Sequence, residues 1–161
     1  MSTPSAARPI HLRDPLLLLA LGFGSGLARR GPGTAGTVVG VGLYLLIASL
    51  PTAAVVAITV VVAAVGIPLC GYAARRLGVP DDQGIVWDEI AGYLVTMLLL
   101  PFEALWILAG FVLFRILDIA KPWPIGWLDR HLGGGTGIML DDLLAGAVAC
   151  LLLHVARVAI A

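Results

Sequence analysis

The chain has 161 residues, 60% of them hydrophobic and 12% charged, with ten basic and ten acidic side chains and no net charge. A mean hydropathy of +1.01 lies far above what a soluble domain tolerates, because such a domain must cover its surface with polar groups. Zero net charge excludes the basic field of a nucleic-acid binder, and two cysteines in apolar surroundings support neither a disulfide pair nor a zinc site.

Residues 1–13 carry Pro, Ser and Arg without periodicity and predict a flexible tail, which leaves 14–161 as one helical membrane domain. Arg8 and Arg13 ahead of a leucine run imitate a secretion signal, but no small-x-small cleavage site follows and further apolar segments do. Residues 16–28 make only about four turns, too short for a ~30 Å hydrocarbon core, and predict an interfacial or re-entrant helix. Gly22, Gly24 and Gly26 permit close packing or a break at its end.

The loop signal Arg29-Arg30-Gly31-Pro32-Gly33 opens an apolar run over 35–50 with Thr34 as a plausible cap, and Pro51-Thr52 turns the chain into a second run over 53–77, kinked at Pro68. A polar loop over 78–83 precedes a third run, 85–100. Pro101 turns the chain into a fourth, 104–120. A loop rich in Pro, Trp and Gly then leads to a last run over 138–160. The expected fold is all-α, a small polytopic membrane bundle with an additional short N-terminal helix. A soluble all-helical oligomer is the structural alternative, and homo-oligomerisation stays open.

Counting crossings from the loop at Arg29 places Arg8, Arg13, Arg29, Arg30, Arg75, Arg76, Arg115, Lys121 and Arg130 on one side, and only Arg157 of the bases on the other. The positive-inside rule makes the first side the cytoplasm. The same count brings Asp88, Glu89, Asp118, Asp141 and Asp142 to that side.

A charge at mid-bilayer costs roughly 2.5–3.5 kcal/mol, so a membrane chain keeps acids in apolar runs for a reason. Asp88-Glu89 and Asp141-Asp142 near helix starts are explained in part by the helix dipole, but two adjacent pairs on one side repel and call for a cation. Asp118 lies near the end of its run, where the dipole disfavours an anion, with Arg115 three residues before and Lys121 three after. The five carboxylates suit magnesium, which takes oxygen ligands, and a base for an attacking water; Arg115, Lys121 and either Arg29 or Arg30 suit a phosphate. The glycine-rich opening of the first main run, Gly33 and Thr34 included, offers free N–H groups to an anion. It lacks the ending of a Walker loop. Cys70 and Arg76 share the spacing of cysteine-dependent phosphatases but fall in an apolar helix, where a thiol stays inert. His131 reads as surface decoration, and Trp87, Trp123 and Trp127 as interfacial anchors.

Five segments, Gly-Phe-Gly-Ser-Gly (22–26), Pro-Gly-Thr-x-Gly-Thr (32–37), Ile-Val-Trp-Asp-Glu-Ile-x-Gly (85–92), Phe-Arg-Ile-x-Asp-x-x-Lys-Pro-Trp-Pro-Ile (114–125) and Gly-Gly-x-x-Gly-Ile-Met-x-Asp-Asp-x-x-Ala-Gly (133–146), together resemble the phosphatidylglycerophosphatase A family. The resemblance implies a magnesium-dependent phosphatase of the bacterial inner membrane that converts phosphatidylglycerophosphate to phosphatidylglycerol and phosphate. An aspartyl-phosphate route is a chemical alternative to direct water attack. A non-enzymatic lipid-phosphate binder or a cation transporter is the alternative class, and a transporter should place its ionisable groups near the bilayer midplane.

Overall fold

A computed structural model describes residues 14–160; the tail expected over 1–13 lies outside the described residues. In chain order the elements are α1 (Pro15–Ala20), a 3₁₀ turn (Gly22–Leu27), α2 (Pro32–Ile47), α3 (Thr52–Leu77), α4 (Trp87–Thr96), α5 (Ala104–Ala120), α6 (Ile125–His131) and α7 (Gly134–Ile160). Among the described residues there is no strand. α3 and α7, of 26 and 27 residues, are long and apolar enough to cross a membrane; each gives about 40 Å of helix. The outer face of α5 exposes Leu105, Leu108, Val112, Ile116 and Ile119, a stripe at helical spacing that suits lipid rather than water. The protein is a small membrane helical bundle.

α7 is the hub and packs on α3, α4, α5 and α6. In lipid no hydrophobic force drives helices together, so close backbone approach has to supply the contact. Gly146 of α7 meets the Gly92 carbonyl of α4, and Gly135 meets the Ile67 carbonyl and Gly71 of α3, with no room for a Cβ at either glycine. Tyr93, Leu94, Met97, Phe114, Ala145 and Ala149 fill the core between α4, α5 and α7.

Several segments differ from expectation. The run over 85–100 yields only the ten residues of α4, about 15 Å of helix and no full span. Pro101 disfavours helical backbone at Leu100, and the chain turns through Leu99 at φ 62. The N-terminal stretch is not one helix: α1 stops at Ala20, and Phe23 and Gly24 take positive φ values of 57 and 95 within the following turn. The loop after α5 contains α6, and α7 begins at Gly134, four residues before the expected start. α3 runs through Pro68 without interruption. α2 is opened by Gly31 in a left-handed conformation (φ 60) with Pro32 in its first turn, so Thr34 lies inside the helix and caps nothing. Glycine adopts that φ without strain, and proline suits the first helical position.

α1 is fixed to the last turns of α3. Asp14 Oδ1 accepts from the Leu16 and Leu17 amides at 3.1 and 3.2 Å, and Asp14 Oδ2 accepts from the Tyr72 hydroxyl at 2.6 Å. Arg76 stands 3.6 Å from the same oxygen. Asp14→Ala removes the cap and the tether together and is expected to lower the unfolding midpoint in detergent by about 2–4 °C. Tyr72→Phe keeps the cap and should give the smaller shift.

Candidate active site

The starts of α2 and α4, the end of α5, α6 and the first turns of α7 enclose one cavity of about 460 Å³. It is lined by eight carboxylates and two basic side chains, Arg115 and Lys121. Asp88 and Glu89 occupy the first turn of α4, where the dipole favours them. Asp141 and Asp142 lie about two turns inside α7 rather than at its tip, and are 5% and 3% exposed. End-charging does not explain two buried acids at that depth. Asp118 ends α5 against the dipole and is bonded by Arg115, which also stands 4.0 Å from Glu89. Helix α5 ends at Ala120, and Lys121 is its cap at φ 42. That bend aims Lys121 Nζ at Asp129 Oδ1, 2.6 Å away, and Asp141 Oδ2, 2.7 Å away. Burial alone would pull the Lys121 ammonium down, but the hydrogen bonds to Asp129 and Asp141 outweigh it and hold its pKa above the ordinary lysine value.

Gly33 brings the start of α2 into this group. Glu89 Oε1 and the Arg115 guanidinium occupy the space a Cβ would need, so the first amides of α2, which have no intrahelical acceptor, open beside the Arg115 fork. Arg29, Arg30 and Thr34 are exposed and do not line the cavity. All five sequence-selected acids, Arg115, Lys121 and Gly33 do line it. Cys70 is buried with its thiol on the Met139 sulfur at 3.7 Å, while Arg76 turns away to Asp14, so the two share no phosphate loop.

Asp88, Glu89 and Asp142 each offer an oxygen within 4.8 Å of the other two. Asp88 Oδ1, Glu89 Oε2, Asp141 Oδ1 and Asp142 Oδ2 are buried without a hydrogen-bond partner. Unpaired buried carboxylates cost several kcal/mol each, and an all-oxygen donor set of this kind could hold a hard divalent cation.

Asp129 lines the cavity although no sequence signal marks it as part of the site. No spacing rule links 121 to 129; they meet because α6 folds back, with Gly126 seated on the Lys121 carbonyl. Asp81, Asp82 and Gln83 also line the cavity, from the loop before α4.

The family model described as Phosphatidylglycerophosphatase A matches residues 18–157. Phosphatidylglycerophosphatase A of Escherichia coli (strain K12) is 42% identical over 146 residues, covering 90% of this chain and 85% of its own. The protein of the same name from Haemophilus influenzae is 40% identical over 151 residues, covering 92% and 93%. A Bacteroides thetaiotaomicron protein, provisionally named a phosphatidylinositol-3-phosphatase, is 36% identical over 154 residues, covering 88% and 92%. No solved structure matches the chain. A match over nearly all the described residues, with relatives aligned along most of their own length, shows that the chain belongs to the phosphatidylglycerophosphatase A family of phosphoric monoester hydrolases.

Proposed function

We propose that this enzyme hydrolyses phosphatidylglycerophosphate to phosphatidylglycerol and inorganic phosphate with magnesium, at the cytoplasmic face of the bacterial inner membrane. The observation that carries the reading is the set of partnerless buried carboxylate oxygens facing Arg115 and Lys121 across one cavity. Eight acids against two bases repel a phosphate, and both bases are already paired with acids. A phosphomonoester therefore needs further positive charge to enter.

Asp88, Glu89 and Asp142 would hold the magnesium ion, with Asp118 and Asp141 lining the same cavity. Bound there, the ion supplies positive charge at the phosphoryl oxygens and lowers the pKa of water. Arg115 presents a planar fork to two phosphate oxygens, and Lys121 adds a point charge from the other wall. Asp141 keeps its buried Oδ1 without a donor and can take the proton as water oxygen bonds to phosphorus. The bond from phosphorus to the glycerol oxygen breaks, and that oxygen takes up the proton held by Asp141 as the lipid leaves, which returns Asp141 to its carboxylate form. Ile119 supports a lipid substrate: it belongs to the exposed stripe of α5 and also lines the cavity, so the headgroup has a route in from the bilayer side. Arg29, Arg30, Arg75 and Arg76 near the cavity end, against Arg157 in the last turn of α7, support the cytoplasmic side.

Full-length protein in mixed micelles is expected to release phosphate and phosphatidylglycerol in equal amounts. Chelation should cut the rate by about 100-fold or more, and added magnesium should restore it. No hydrolysis of this lipid with magnesium present would overturn the substrate; a rate indifferent to chelator would overturn the metal. Phosphatidylinositol 3-phosphate is the comparison lipid, because one relative bears that name.

A further inference from the structure

The contacts of Lys121 are asymmetric in depth. Its ammonium is shared by Asp141, whose side chain is 7% exposed, and Asp129, whose side chain is 34% exposed; the Lys121 side chain itself is 31% exposed. One partner lies at the floor of the cavity and the other at its rim. A lysine stem is flexible and rich in rotamers and does not hold a position by itself. With Asp141, already 2.7 Å away, as its sole partner, the ammonium would belong wholly to a buried carboxylate, where the low dielectric strengthens the pair and withdraws the charge from an incoming anion.

α6 is built to supply the second partner. Gly126 seats this short helix on the Lys121 backbone carbonyl, and Ile125 anchors it in the core. One turn on, Trp127 stacks on His131 at 4.5 Å between ring centroids, and His131 Nδ1 meets the Trp127 carbonyl at 2.7 Å. Asp129 is thus carried on a wall latched to the residue it binds.

We propose that Asp129 is a positioning residue that shares the Lys121 ammonium with Asp141 and so holds it toward the cavity mouth, where it meets the phosphomonoester, instead of leaving it to Asp141 alone. The inference rests on the phosphatase reading for its consequence in turnover, but not for its consequence in phosphate binding. Asp129 acts on capture of the phosphate rather than on bond cleavage, so its loss should appear in affinity.

The test uses full-length protein in detergent with magnesium and inorganic phosphate as the probe, followed by calorimetry. Asp129→Asn, nearly isosteric and partly exposed, should weaken phosphate binding about tenfold, and should raise KM for the lipid by a similar factor while kcat stays within about threefold. Asp129→Glu restores the charge and should return both quantities to within about threefold of the parent. In a Lys121→Met background, Asp129→Asn should change phosphate affinity no further, because its partner is gone. A merely structural role would lower the unfolding midpoint and kcat without this pattern. Unaltered phosphate affinity in Asp129→Asn overturns the proposal, as does an equal loss in the Lys121→Met background, a glutamate variant no better than asparagine, or a parent protein that binds no phosphate. If the parent binds phosphate but releases none from phosphatidylglycerophosphate, the substrate reading fails while the affinity comparison still decides the role of Asp129.

Discussion

Asp142→Asn is expected to reduce phosphate release by about 10³-fold and, in chelator, to make the protein more stable than the parent. Both effects come from the same atoms. Asp142 is 3% exposed, its Oδ2 has no donor, and its carboxyl faces that of Asp118 while standing within ligand reach of Asp88 and Glu89. Without a cation, these buried like charges repel and lack compensating hydrogen bonds, a cost of several kcal/mol. Asparagine keeps the shape, removes one charge and offers an N–H₂ group to a neighbouring carboxylate. Metal-free protein should therefore gain about 1–3 kcal/mol from the change. Magnesium reverses the order: at a hundredfold excess over its Kd it stabilises the parent by about 2.7 kcal/mol, and the variant has lost a ligand. Unfolding midpoints of both proteins, each in chelator and in magnesium, should cross. Parent-like activity, or a variant less stable than the parent in chelator, would remove Asp142 from the metal group.

That the acids gather at one end of an all-helical bundle was legible in the sequence, the helix ends and crossings were not, and particular residues show why. Asp118 could be singled out because an acid at a helix C-terminus contradicts the dipole, and its two basic neighbours sit at helical spacing. The glycines at 92 and 146 fall inside recognisable segments, but their pairing is a tertiary fact that one sequence does not encode locally. Hydropathy records that 85–100 is apolar, not where its backbone leaves the helix, so the ten residues of α4 fall short of the run. Val86 caps α4, and its amide, which no helix carbonyl could accept, is satisfied by the Ala20 carbonyl at 3.0 Å, a contact that depends on where α1 ends. Residue type alone makes Thr34 a cap, yet Pro32 and a left-handed Gly31 set the start of α2. Asp129 shows the limit most plainly: its partner is eight positions away, across a reversal that follows no helical or strand period.

Gly146→Val should abolish most activity while leaving every acid and base in place. Gly146 lies one turn after Asp142, and Gly92 lies one turn after Asp88 and Glu89, so the α4–α7 crossing sets the separation of the two acidic groups. At that crossing a Cβ on Gly146 would overlap the Gly92 carbonyl and press on Val95; a Cβ on Gly92 would meet the Phe114 ring and the Asp142 carbonyl. These are backbone atoms and a buried ring, not the free end of a flexible side chain, so the helices must move apart. Overpacking of this kind costs about 1–3 kcal/mol, occasionally more, and a shift of about 1 Å between reacting groups costs on the order of 10²-fold in rate. Gly146→Val is therefore expected to lose about 100-fold in kcat with weaker response to magnesium, and Gly146→Ala to fall between it and the parent. The control is Gly42→Ala on α2, where a Cβ meets nothing within 4 Å; it should leave the rate unchanged and add up to about 1 kcal/mol of helix stability. A valine at 146 that folds, binds magnesium and turns over like the parent would mean that the α4–α7 crossing does not set the carboxylate spacing. Loss of rate in step with loss of magnesium response, with Gly42→Ala silent, would tie catalysis to that one backbone contact rather than to glycine content in general.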